Sequence, residues 1–150
     1  MLKDILKREF IRLDLSGSSK DEVIKELTNI FADAGLVENA EAVFKAVITR
    51  ENTMTTALGK NVALPHAKTS EVKQIQMVIG VHPEGVEFDA PDHQPVHLLF
   101  AVLSPPHISG PHIQCLAEIA RLIENTDVKQ NILKAQSADK IINIIKNSTI

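Results

Sequence analysis

The chain is predicted to adopt an α/β fold, and three blocks of apolar patterning predict it. Helical spacing runs from Ser19 to about Arg50, strand-like segments follow between residues 61 and 103, and helical spacing returns from Pro111 to Lys146. Each block carries an apolar face that must be covered, so the helices are expected to pack onto a sheet built by the central segments. At 150 residues the chain suits one domain spanning residues 1–150, large enough to bury a continuous core without disulfides or a structural metal. No internal repeat or low-complexity tract interrupts it.

Taken in order, Ser19-Lys20-Asp21-Glu22 has the form of a capping box, after which Val23, Leu27, Ile30 and Ala34 recur at helical spacing until Gly35 offers a stop. Asn39 can cap a second helix, in which Val43, Ala46, Val47 and Arg50 share a face and Arg50 falls in the last turn. Residues 61–64 form a short apolar strand. From Gln74 to His82 the residues alternate, with Ile75, Met77, Ile79 and Val81 on one face. Val96 to Leu103 is apolar on both faces, which is the pattern of a central strand. The stretch Ser104-Pro105-Pro106-His107-Ile108-Ser109-Gly110-Pro111 reads as a loop. Beyond it, Ile113, Leu116, Ala117, Ala120 and Ile123 predict an apolar helical stripe, followed by shorter helices from Thr126 to about Ala135 and from Ser137 to Lys146.

Composition excludes several functions. The net charge is −3 with no basic stripe, and the aromatics amount to five Phe without Trp or Tyr, so neither phosphate tracking nor base stacking is supported and nucleic acid is not an expected partner. Charges interrupt the first nine residues, and no apolar run approaches the roughly 20 residues of a membrane span, so a cytoplasmic location is expected. The single cysteine, Cys115, cannot form an internal disulfide.

The most informative stretch is Gly59-Lys60-Asn61-Val62-Ala63-Leu64-Pro65-His66-Ala67. Proline fixes its own φ and pushes Leu64 toward extended backbone, so the chain reaches His66 from the end of a short strand with few alternatives. An imidazole whose ordinary pKa is about 6.5 is largely neutral near neutral pH, and its free nitrogen can attack an electrophilic phosphorus without a separate base. Around it lie Thr49-Arg50-Glu51-Asn52 and Thr55-Thr56-Ala57-Leu58-Gly59 upstream, then Val86-Glu87-Phe88, the run Asp92 to Phe100, and Pro111-His112-Ile113-Gln114-Cys115-Leu116-Ala117 downstream.

From about Phe10 to Lys146 this succession resembles the enzyme IIA domain of the fructose/mannitol family of the bacterial phosphoenolpyruvate-dependent phosphotransferase system, including its nitrogen-related regulatory branch. The resemblance implies a three-layer α/β/α sandwich with a central mixed sheet. It also implies that His66 accepts a phosphoryl group from the phosphocarrier HPr and passes it to a cysteine of an enzyme IIB component. In the regulatory branch the phosphorylation state would instead control binding to partner proteins. His112 matches the family's second active-site histidine, which supports the phosphohistidine without carrying the group. Thr56 falls where the family often has a Ser or Thr, and would hydrogen-bond the phosphate or the imidazole.

Arg50 offers a permanent cation with a planar fork of donors, suited to transferring phosphoryl oxygens. Its alternative is a helix-terminal arginine bound to exposed carbonyls. No nucleotide-binding glycine loop or Asp pair for magnesium is present, so neither a metal nor an organic cofactor is expected. His93 and His97 are separated by Pro95 and, in a strand, would stand roughly 13 Å apart, too far to share a metal. His82 and His107 have no partner pattern. Cys115 lies three residues after His112, a spacing that allows the thiol–imidazole pair of a hydrolase, but it also continues the apolar stripe as an inert core thiol.

Overall fold

The computed structural model describes residues 1–148. Short helix α1 (Leu2–Ile5) and a 3-10 turn (Arg8–Phe10) precede β1 (Ile11–Arg12), then come α2 (Lys20–Asp33), α3 (Ala40–Thr53), β2 (Ala57–Gly59), β3 (Val62–Ala63), β4 (His66–Lys68), β5 (Gln76–Val86), β6 (Val96–Ser104), α4 (Gly110–Glu124), α5 (Thr126–Lys134) and α6 (Ala138–Lys146). The six strands form one mixed sheet in the order β1-β5-β6-β3-β2, with β4 also paired to β6.

The expected caps are made. Ser19 Oγ accepts the Glu22 amide at 3.2 Å, and Glu22 reaches back to the Ser18 amide at 3.0 Å, one residue earlier than in a standard capping box. At the far end Gly35 adopts φ 75°. This left-handed turn lets the Leu36 amide reach the Phe31 carbonyl at 2.9 Å and the Gly35 amide reach Ala32 at 3.0 Å, a Schellman stop. Asn39 Oδ1 accepts the Ala42 amide at 3.0 Å and starts α3.

Period-two alternation sorts the sheet between two cores. Val78, Leu99, Ala101 and Leu103 face α2 and α3, against Ile24, Leu27, Phe31, Val43 and Val47. Met77, Ile79, Val81, Leu98, Phe100 and Val102 face the opposite layer, against Cys115, Ile119 and Leu122 of α4, Ile132 of α5, and Ile141 and Ile145 of α6. The result is a three-layer α/β/α sandwich. Strand β6 is covered on both faces, as its continuous apolar run requires, and pairs antiparallel with the long β5 in the register Ile79↔Phe100.

Two expectations need correction. His66 does not end the short apolar strand but opens the next one. Pro65 has no N–H to give the ladder, so pairing stops after Ala63 and resumes at His66, both pieces running parallel to β6 in the registers Val62↔Leu98 and His66↔Val102. The core stripe of α4 is also rotated from the expected one. Cys115, Ile119 and Leu122 are buried, whereas Ile113 is 66% exposed. This helix has apolar residues on two adjacent faces, so helical periodicity alone does not select which of them meets the sheet.

Candidate active site

His66 sits where the proline-interrupted ladder restarts. Its Nδ1 lies 2.8 Å from the Leu64 carbonyl oxygen. A carbonyl only accepts, so Nδ1 carries the proton and donates, and in the neutral ring Nε2 holds the lone pair. The peptide that accepts this bond is itself tethered, because the Leu64 amide donates to the Thr56 carbonyl at 3.1 Å. Thr56 is anchored in turn by Glu51, whose carboxylate accepts the Thr56 amide at 2.8 Å and the Thr56 hydroxyl at 2.6 Å. Lys20 Nζ completes the carboxylate's partners at 3.0 Å, and the Glu51 side chain is only 1% exposed.

Thr56 therefore stands outside the cleft that holds His66. Its hydroxyl is spent on Glu51, and its contribution to the imidazole runs through the backbone of Leu64 rather than through the side-chain contact expected from sequence.

His112 lies in the first turn of α4, after Pro111, and α4 brings its ring over β4. The two imidazole centroids are 5.4 Å apart, with the planes inclined at 57°. His112 Nδ1 is hydrogen-bonded to the Ser104 hydroxyl. Arg50 approaches from α3. One guanidinium nitrogen donates to the Met54 carbonyl at 2.8 Å, closing the helix end, while the same side chain lines the cleft. The conformation that caps α3 thus also leaves Arg50 at the cleft. The open cleft, about 530 Å³, is lined by His66, His112, Arg50, Lys68, Thr49 and Thr53 together with small apolar groups.

Burial dominates the electrostatics of both rings. It lowers the His66 pKa, which the Leu64 hydrogen bond partly restores, while Arg50 lowers it further and Glu51 raises it. Burial likewise lowers the His112 pKa, followed by repulsion from His66 and from Lys68. Both rings are therefore neutral near neutral pH. The unfolded chain takes up these protons near pH 6.5 and the native chain only at lower pH, so stability falls as pH drops through that window. Chemical denaturation should show this loss as the pH falls below about 6.5, and the double substitution His66→Gln with His112→Gln should flatten it. An equal decline in that variant would remove the two rings as its source.

The remaining sequence candidates fall elsewhere. Cys115 is fully buried, with its thiol pushed up to about 11 by burial, so no thiolate is supplied for the hydrolase reading. His93 is exposed at φ 59°, and His97 Nδ1 donates to the His82 carbonyl at 2.9 Å. His82 is buried and donates from Nε2 to the Gly17 carbonyl at 2.9 Å. His107 is exposed in the loop before α4.

Several site residues had no assigned role in the sequence. Lys68 follows His66 by two positions and so shares its face of β4, a signal that period-two reading could have used. Thr49 and Thr53 stand four apart on α3 beside Arg50. Glu51 and Ser104 gave no such signal. Ser104, expected in a loop, is the last residue of β6 and pairs with Lys68.

The architecture is that of the phosphotransferase-system enzyme IIA domains. Over 96% of this chain and 98% of the other, it superposes on the nitrogen regulatory protein IIA-Ntr of Neisseria meningitidis with a TM-score of 0.89 and 29% identity. The sequence model of the family described as phosphoenolpyruvate-dependent sugar phosphotransferase system, EIIA 2, matches residues 4–148, and the chain belongs to that family of phosphotransferase components. It is 31% identical to the PTS system fructose-specific EIIA component of Haloferax volcanii over 96% of this chain and 94% of the relative. It is also 29% identical to the PTS system fructose-specific EIIABC component of Bacillus subtilis, of whose length it spans 23%. Among the described residues no helix is long and apolar enough to cross a membrane.

Proposed function

We propose that His66 is a phosphohistidine carrier: its Nε2 accepts a phosphoryl group from phospho-HPr and donates it to a cysteine thiolate of an enzyme IIB component in sugar uptake. The observation that carries this reading is the Nδ1–H bond to the Leu64 carbonyl, which leaves Nε2 as the ring's nucleophile beside the cleft. In the first step the bond from donor to phosphorus breaks as the Nε2–P bond forms. Nε2 carries no proton, so none must be removed. In the second, a thiolate takes the group and returns the electron pair to Nε2. Arg50 and Lys68 supply positive charge for the phosphoryl oxygens, and His112 supports the phosphohistidine from the facing helix. Neither metal nor organic cofactor enters these steps, and the whole of residues 1–150 acts as one unit in the cytoplasm, where the donor operates.

The likeness to IIA-Ntr favours a second reading, in which the same phosphorylation controls binding to regulatory partners. Incubation with phosphoenolpyruvate, enzyme I and HPr, followed by peptide mass spectrometry, tests what both readings share. Phosphate on another residue, or none, would end them. Adding sugar-specific IIB domains then separates them, since only the transport reading requires that one of these discharges His66.

Arg50 provides a sharper test of the charge assignment. Arg50→Lys keeps the cation and can still bind the Met54 carbonyl, but loses the planar fork, so transfer from phospho-HPr should slow by roughly tenfold with the fold intact. A wild-type rate in Arg50→Lys would confine the residue to capping α3.

A further inference from the structure

We infer that Ser104 is a positioning residue that holds His112 as the Nε2–H tautomer, by donating its hydroxyl hydrogen to His112 Nδ1, so that His112 offers an N–H donor to the phosphoryl group. The inference rests on the carrier reading of His66.

Ser104 ends β6 in register with Lys68 of β4, and its own carbonyl accepts the Thr69 amide at 2.8 Å, so the pairing along the β4 edge fixes where its side chain starts. The residue is fully buried. Among the described residues its hydroxyl has one hydrogen-bond partner, His112 Nδ1. Two arrangements are open to this pair. If Nδ1–H donated to Oγ, the serine hydrogen would be left buried without an acceptor, and His112 Nε2 would present a lone pair to a cleft intended for an anion. If the hydroxyl donates to Nδ1, both buried groups are satisfied and the ring's proton sits on Nε2. The second arrangement has no unmet partner.

The consequence is a complementary pair. His66 is protonated on Nδ1 by its bond to a carbonyl and attacks through Nε2, whereas His112 is protonated on Nε2 by its bond to a hydroxyl and donates through it. The backbone enforces one tautomer and a single serine the other. A donor held in this way needs no reorganisation when charge arrives on the phosphoryl oxygens.

Long-range proton–nitrogen correlation spectra of the imidazoles in the unphosphorylated protein test the tautomers directly, independently of any transfer. Nδ1 of His112 should show the shift of an unprotonated nitrogen and Nε2 that of a protonated one, with the opposite pattern for His66. A protonated Nδ1 on His112 would overturn the inference. Ser104→Ala should give averaged shifts for the two His112 nitrogens and slow transfer from phospho-HPr by about tenfold, while His66 still becomes fully phosphorylated at long times. Ser104→Thr keeps the hydroxyl and should restore both the tautomer and the rate to within about threefold of wild type. Unchanged His112 shifts in Ser104→Ala would equally refute the assignment. If wild-type His66 took no phosphate, the carrier reading would fall, and the spectra would still decide the tautomer.

Discussion

His66→Ala is expected to take up no phosphoryl group from phospho-HPr under conditions that label the wild-type protein fully. The proposed chemistry depends on one nitrogen, Nε2, whose lone pair follows from the Nδ1–H bond to the Leu64 carbonyl. His112 cannot replace it, since its Nδ1 is taken up by Ser104 in the buried base of the site. The other imidazoles lie outside the cleft. His66 is half-buried and makes a single side-chain hydrogen bond, so truncation should reduce stability by only about 1 kcal/mol and leave a folded control. Electrospray mass measurement before and after incubation reads the result. A folded His66→Ala chain that gains the mass of one phosphoryl group would displace His66 from the mechanism.

The largest expected loss of stability belongs to Glu51→Ala. The carboxylate is almost wholly enclosed and satisfies the Thr56 amide, the Thr56 hydroxyl and Lys20 at once. Removing it leaves two buried donors without an acceptor, while Lys20 retains the exposed carboxylate of Asp89 at 3.1 Å and the face of the Phe88 ring, 4.7 Å to its centroid. Breaking a buried pair in this way costs about 3 kcal/mol, or roughly 6–12 °C in Tm for a chain of this size. Because Thr56 also holds Leu64, and Leu64 orients His66, transfer should fall as well, even below the unfolding temperature. Glu51→Gln keeps one carbonyl acceptor but loses the charge facing Lys20, so it should lie between wild type and Glu51→Ala in both measurements. Calorimetry showing a wild-type Tm for Glu51→Ala would mean that water or a side-chain shift satisfies Thr56, and the anchoring role would be withdrawn.

What could be read from the sequence is what local chemistry decides. Ser19, Asn39 and Gly35 act on amides and carbonyls within one turn of themselves, so the boundaries of α2 and the start of α3 were legible. The double-sided apolar run of β6 announced a central strand. The constraint of Pro65 on Leu64, the motif that leads to His66 and the motif that leads to His112 are each contained within a few consecutive residues. The face of α4 was not legible, because both candidate stripes are apolar and only contact with the sheet selects Cys115, Ile119 and Leu122. The site as an assembly was equally hidden. Its two imidazoles meet because β4 runs parallel to β6 in one register and α4 folds back over that edge, which also brings Ser104 beneath His112. The partners of Glu51 depend on α2 packing beside α3 and on the turn into β2. Periodicity tells a residue which face it occupies, but hydrogen-bond partners far apart in the chain are set by strand register and layer packing. Local chemistry along the chain thus singles out His66 as the candidate nucleophile and constrains its backbone approach, whereas the groups that hold its tautomer, face it and charge the cleft are set by strand register and layer packing.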